Sequence, residues 1–212
     1  MSPISRTKST VLVTAALVGT LSTGLLAGRM LELYDASIGF QREAERIAGV
    51  LDVGPGERFG DIRAGTGRWT AFIARRIGPG GHVYATAGPT PVYEMYRTVA
   101  AAGVDNVSIL AGAPGDTGRL PSQCCDGILL RYVYRSFDYR QAFNEQLFEY
   151  IRPGGRLVVI DLTDQTSPGL PSGRLGIPQV IAEVGAAGFD VVDVIEDWGR
   201  NTYCIVFERP AV

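Results

Sequence analysis

Two glycines one residue apart, Gly65 and Gly67, close the run Asp61-Ile62-Arg63-Ala64-Gly65-Thr66-Gly67. A carboxylate beside glycines in one short turn suits a binding loop. Glycine lets the backbone turn sharply and approach a ligand closely, and a helix beginning there presents free amides. Few other residues have comparable chemistry. His82 is the one histidine; it stands at a turn entering a strand and reads as a surface residue, and without a partner serine motif it supports no hydrolase triad. Cys124, Cys125 and Cys204 are too few for a disulfide framework, and no Cys-x-x-Cys or Cys/His cluster points to a metal. The adjacent pair reads as two buried small hydrophobes before it reads as a holder of thiophilic ions. A formal net charge of -2 gives no reason to expect nucleic acid as a partner.

The elements that must position the loop follow from periodicity. Ala44, Ile47, Ala48 and Leu51 fall at helical spacing, and Gly54-Pro55-Gly56 stops that helix. A strand is expected over 58–62, then a helix with Trp69, Phe72, Ile73 and Ile77 on one face, then a strand over 82–86. Thr90 and Pro91 look like the N-cap and first-turn proline of a helix ending near Gly103. Strands are expected over 107–111 and 127–130, the latter apolar on both faces as a central parallel strand is. Asp138 and Gln141 resemble a capping box opening a helix that ends at Pro153-Gly154-Gly155. A strand over 156–161, a helix from Pro178 to Gly188, and two strands over 190–195 and 202–207 close the chain. Strands alternating with helices imply a parallel sheet covered on both faces, and the last two, with no helix between them, must pair antiparallel. Ligands of such sheets bind at the carboxyl ends of the strands, where strand order reverses.

The N-terminus has another character. Residues 1–8 are short and basic, and 9–28 form an uncharged run rich in Leu, Val and Ala. About 20 helical residues span roughly 30 Å, the thickness of a bilayer core. The run reads as a transmembrane anchor or a signal segment, so the membrane is an expected partner through 9–28. Arg6 and Lys8 before it keep that end inside, and the domain at 40–212 is expected outside, in the periplasm of a bacterium.

The stretch from Ala44 to Phe207 resembles the class I S-adenosylmethionine (SAM)-dependent methyltransferases. DIRAGTGRWT is similar to their glycine motif, HVYAT to their second strand, RLPSQCCDGILLRYVY to their fourth-strand region and IRPGGRLVVID, the most specific match, to their fifth strand. The resemblance implies an α/β, three-layer Rossmann-like fold with a seven-stranded, mostly parallel sheet and an antiparallel C-terminal hairpin. It implies SAM as cofactor and a small-molecule methyl acceptor. Carried over by position, Asp61, Arg63, Ala64, Gly65, Thr66 and Gly67 line the methionine and ribose part of the site, Thr86 and Ala87 adjoin the ribose, and Asp116 lies near the adenine. Arg131, Tyr132, Tyr134 and Arg135 face the substrate, although Tyr132 and Tyr134 read equally as aromatic packing against the following helix.

Three positions depart from the pattern. Arg63 replaces the first glycine of the motif, and it reads equally as a solvated loop residue, a plug in the cofactor's space or a binder of an anionic ligand. Ala87 stands where the family has an acid that accepts both ribose hydroxyls, with only the Thr86 hydroxyl beside it. Arg135 replaces a histidine common after the fourth strand. The expectation is a methyltransferase with a weakened cofactor site; the alternative is a non-catalytic exported or tethered domain that keeps the fold and binds SAM weakly or not at all. A dinucleotide oxidoreductase is disfavoured, because the full Gly-x-Gly-x-x-Gly fingerprint is missing. The stretch 163–178 is either a lid or an ordinary long loop.

Overall fold

The computed structural model describes residues 38–88, 92–110, 119–163 and 175–211. The run 9–28, Thr90, Pro91, Asp116 and most of the 163–178 stretch lie outside the described residues. Among the described residues, no helix is long and apolar enough to cross a membrane. The chain divides into a unit of residues 1–45 and a unit of residues 46–212, with helix α1 (38–51) running across the boundary. The larger unit carries everything that follows.

Its elements alternate as the periodicity requires: β1 (Arg58–Ile62), α2 (Arg68–Ile77), β2 (His82–Thr86), α3 (Val92–Ala102), β3 (Val107–Leu110), β4 (Cys125–Arg131), α4 (Arg140–Tyr150), β5 (Ile151–Leu162), α5 (Ile177–Gly185), β6 (Asp190–Gly199) and β7 (Thr202–Glu208). The seven strands lie in the order β3-β2-β1-β4-β5-β7-β6. The first five are parallel, and β7 runs antiparallel between β5 and β6. This is the Rossmann-like sheet with its reversed C-terminal pair.

Both faces of the central strands are covered, so the core has two halves. On one side Ile62, Ile128, Leu130, Leu157 and Val159 pack with Phe143 and Leu147 of α4 and Val180 and Val184 of α5. On the other, Phe59, Leu129, Val158 and Ile160 pack with Ile47 and Leu51 of α1 and Ile73, Ala74 and Ile77 of α2. Adjacent residues of one strand feed opposite halves, which is why residues 127–130 of β4 read as an unbroken apolar run.

Four local expectations are corrected. The buried face of α2 is Thr70, Ala71, Ile73, Ala74 and Ile77, with Trp69 and Phe72 only half-buried. The N-cap of α4 is Tyr139, without a side-chain cap bond, so Asp138 and Gln141 form no capping box. Pro153-Gly154-Gly155 does not end α4, which stops at Tyr150; the glycines sit in an irregular start of β5, where the register against β4 jumps from Cys125↔Ile151 to Gly127↔Arg156. His82 is half-buried rather than superficial: its Nε2 lies 2.9 Å from Ser108 Oγ and its ring packs on Tyr84. Burial, with Arg58 nearby, lowers its pKa. The cysteine reading changes as well. Cys124 and Cys125 are buried, but they are joined to each other as a disulfide, while Cys204 is a free, buried thiol.

Candidate functional site

Strand order turns between β1 and β4, with β2 and β3 on one side and β5 on the other. Parallel neighbours diverging in this way open a crevice at their carboxyl ends. Asp61, Thr86, Arg131 and Asp161 are carried to that edge by β1, β2, β4 and β5.

Asp61 is 3% exposed. Its Oδ2 accepts the Thr70 hydroxyl at 2.6 Å, and the Thr70 backbone amide reaches the same carboxyl. The side chain thus ties the end of β1 to the first turn of α2, where the N-cap, Gly67, has no side chain to offer. Burial pushes its pKa up to about 6, against the opposing pull of Thr70 and Arg131.

The turn after β1 is held to the tip of β2. Arg63 donates its backbone N–H to Thr86 Oγ1 at 2.9 Å, and Ala64 donates to the Thr86 carbonyl at 3.0 Å. Thr86 is fully buried, so its hydroxyl serves the turn. Ala87, next along, presents a methyl group where the resemblance calls for an acid. Gly65 has φ 58, and a Cβ built there would meet nothing within 4 Å, so the space over the turn is open. Gly67 has φ 79, and a Cβ there would lie 2.7 Å from Met95 Cγ. Ala64 is buried and Thr66 exposed.

Arg63 itself has φ 53, a left-handed conformation that costs a residue with a Cβ about 1 kcal/mol. Its side chain crosses to the segment after β4. Nη1 donates to Ser136 Oγ at 2.6 Å, and the guanidinium lies 4.1 Å from the centroid of the Phe137 ring. Partial burial lowers its pKa, while Asp138 acts in the other direction.

On the β4 side, the Arg131 guanidinium lies over two rings, Trp69 at 4.7 Å and Tyr132 at 4.2 Å. Tyr132 has φ 59 and donates its N–H to the Ile160 carbonyl, which locks the turn out of β4 to β5. Arg135 reaches Asp161, with Nη1 3.4 Å from Oδ1 and its backbone N–H 3.4 Å from Oδ2. Burial raises the Asp161 pKa, opposed by the Leu162 amide and Arg135. Tyr134, expected beside these residues, turns inward. It is fully buried, donates to Glu183 Oε2 at 3.1 Å and accepts from Asn144 Nδ2 at 2.8 Å. Arg140 completes that network with Nε 2.7 Å from Glu183 Oε2. Burial would raise the Glu183 pKa, but the bonds from Arg140 and Gln179 hold it low.

The edge therefore brings together Asp61, Arg63, Gly65, Gly67, Thr86, Ala87, Arg131, Tyr132 and Arg135, while Tyr134 belongs to the packing beneath. Sequence reading did not single out Asp161, although it ends the IRPGGRLVVID strand and could have been found there. Ser136 and Phe137 carried no signal, since their place depends on where the Arg63 side chain goes.

No family model matches the chain. Over 111 residues, 51% of this chain, it is 29% identical to the demethylmenaquinone methyltransferase of Listeria monocytogenes. It covers 46% of that protein, so the chain spans about half the length of the curated relatives it matches. In structure it is similar to a SAM-dependent methyltransferase from Aquifex aeolicus, with TM-score 0.70 and 21% identity over 78% of this chain and 89% of the other. It is also similar to the [4+2]-cyclase SpnF, with TM-score 0.67 and 15% identity over 81% of each chain. The fold is that of the class I SAM-dependent methyltransferases.

Proposed function

We propose that this chain is a SAM-dependent methyltransferase acting on a small molecule. The turn 62–67 carries the reading: it sits at the switch point, follows the buried carboxyl of Asp61, is bonded to the tip of β2, and leaves open space at Gly65. The residues fit the cofactor at its amino-acid end. At the ribose end the fit is poorer, with the Thr86 hydroxyl taken by Arg63 N–H and no carboxylate at Ala87.

When bound, the cofactor supplies a methyl group activated on a sulfonium. The chain's own residues act by placement. His82 lies at the start of β2, the opposite end of the strand, so no imidazole serves as base. Asp61, ionised above its pKa of about 6, favours a cationic group beside the turn. Arg131 and Arg135 line the acceptor side, where Trp69 and Tyr132 supply ring faces. Holding the methyl donor and acceptor in line is sufficient to accelerate transfer strongly. The likeness to a demethylmenaquinone methyltransferase favours an aromatic, quinol-like acceptor.

Calorimetric titration of the chain with S-adenosylhomocysteine tests the reading, together with transfer of labelled methyl from SAM to a demethylated quinol. Binding below millimolar with transfer supports it; absence of binding removes it. A second reading, a domain that keeps the fold without the cofactor, is favoured by Ala87 and predicts no binding in the same titration. With this second reading goes the proposal that the run 9–28 is an anchor or export segment with the domain outside, where little of the cytoplasmic metabolite SAM is available; a C-terminal topology reporter that lights up only in the cytoplasm would overturn it.

A further inference from the structure

The Arg63 side chain spans the candidate site from the β1 turn to the segment after β4. Its path is prepared at each end. The backbone is fixed in a left-handed turn by the bond to Thr86 Oγ1. The stem passes Gly88, where a Cβ would come within 3.2 Å of Arg63 Cβ, so the missing side chain at 88 makes room for it. The guanidinium then rests on the Phe137 ring and donates to Ser136 Oγ.

Among the described residues no anion pairs with this guanidinium. Its partners are a neutral hydroxyl and a ring face; Asp138 acts on it only at longer range. Arg131 and Arg135 each have a carboxylate acting on them nearby, Asp61 and Asp161. A partly desolvated guanidinium with neutral partners gains most from a carboxylate, which its planar fork can bind through two parallel bonds. A residue held in a sparsely populated backbone conformation with an oriented side chain marks a place where structure serves a ligand.

Resting on the methyltransferase reading, we infer that Arg63 is the receptor for the carboxylate at the amino-acid end of the cofactor, its guanidinium held ready by Ser136 and Phe137. The glycine motif that the loop resembles has no side chain at this position, so the contact is a property of this chain.

The test compares two probes on the full chain by calorimetry, S-adenosylhomocysteine and 5′-methylthioadenosine, which keeps the adenosine and thioether but has no amino-acid end. The wild type should bind the first more tightly. Arg63→Gln should weaken S-adenosylhomocysteine at least tenfold and change 5′-methylthioadenosine less than twofold; Arg63→Lys, which keeps the charge and loses the fork, should fall between. Unchanged or tighter S-adenosylhomocysteine binding by Arg63→Gln, the behaviour of a plug, overturns the inference. Equal weakening of both probes does so too, since it marks a damaged turn. If the wild type binds neither probe, the methyltransferase reading itself fails, and that outcome is distinct from the others.

Discussion

Asp61 allows a magnitude to be worked from the structure. Its pKa rises from 3.8 to about 6 because the carboxyl is buried, with Thr70 and Arg131 pulling the other way. The folded state then holds the Asp61 proton more tightly than the unfolded chain does. Between pH 4 and 6 the folded state binds more protons, so stability falls as pH rises through this window. The shift of about 2 units, at 1.36 kcal/mol each, makes the loss about 3 kcal/mol, complete near pH 7. Asp61→Asn keeps an oxygen to accept the Thr70 hydroxyl and has no proton to lose, so its pH profile should lack this component. Urea unfolding of both proteins from pH 4 to 8 measures it: the variant should gain up to about 3 kcal/mol on the wild type between the ends of the range. Parallel profiles for the two proteins would refute the buried, titrating Asp61. The same ionisation couples to ligand binding. A cationic group beside Asp61 requires the carboxylate, so wild-type affinity for SAM should fall about tenfold from pH 7 to pH 5, and Asp61→Asn should flatten that dependence.

Further predictions concern other parts of the site and its support. Gly67→Ala forces a left-handed residue to place a Cβ 2.7 Å from Met95 Cγ, and it should cost about 2–4 kcal/mol in urea unfolding and loosen the start of α2. Glu183→Ala leaves Tyr134 and Arg140 without their shared acceptor and should cost about 1–2 kcal/mol by the same measurement. Cys124 and Cys125 should resist alkylation in the folded, unreduced protein and take two labels after reduction and unfolding, whereas Cys204 should label on unfolding alone; three labels without reductant would contradict the bonded pair.

Much of the fold was legible because hydrophobic period reports burial directly. The unbroken apolar run of β4 requires two covered faces, and the lack of a helix between β6 and β7 requires antiparallel pairing. The glycine turn was legible for a related reason, since Gly65 and Gly67 occupy backbone conformations that other residues adopt only at a cost. What escaped was set by tertiary geometry. Asp138 and Gln141 have the spacing of a capping box, but the chain enters α4 one residue later, at Tyr139. The PGG segment has the chemistry of a helix stop and lies inside β5, in the irregularity between the β4 partners Ile151 and Arg156, where Gly154 and Gly155 exchange backbone bonds with Arg209. Tyr134 reads equally as a substrate contact or as packing on the following helix, and burial against α4 and α5, with its hydroxyl on Glu183 and Asn144, decides for packing. The side-chain path of Arg63 depends on Ser136 and Phe137, more than seventy residues away in sequence, and no local pattern encodes it.

A shared fold does not decide the reaction, because the neighbours of this one include a [4+2]-cyclase as well as a methyltransferase. The decision rests on charge at the switch point. Without its acid at Ala87 and with Thr86 spent on the turn, the site has little to hold a ribose, so affinity must come from the amino-acid end. There the turn supplies the buried carboxyl of Asp61 and, separately, the partly buried guanidinium of Arg63, and the value of each depends on the ligand carrying the opposite charge. A neutral ligand would leave Asp61 to protonate near pH 6 and Arg63 on a serine, gaining nothing from either. A ligand that carries a carboxylate gains from the guanidinium, and this is the physical reason for preferring an amino-acid-bearing cofactor at this edge over an uncharged ligand of the same size.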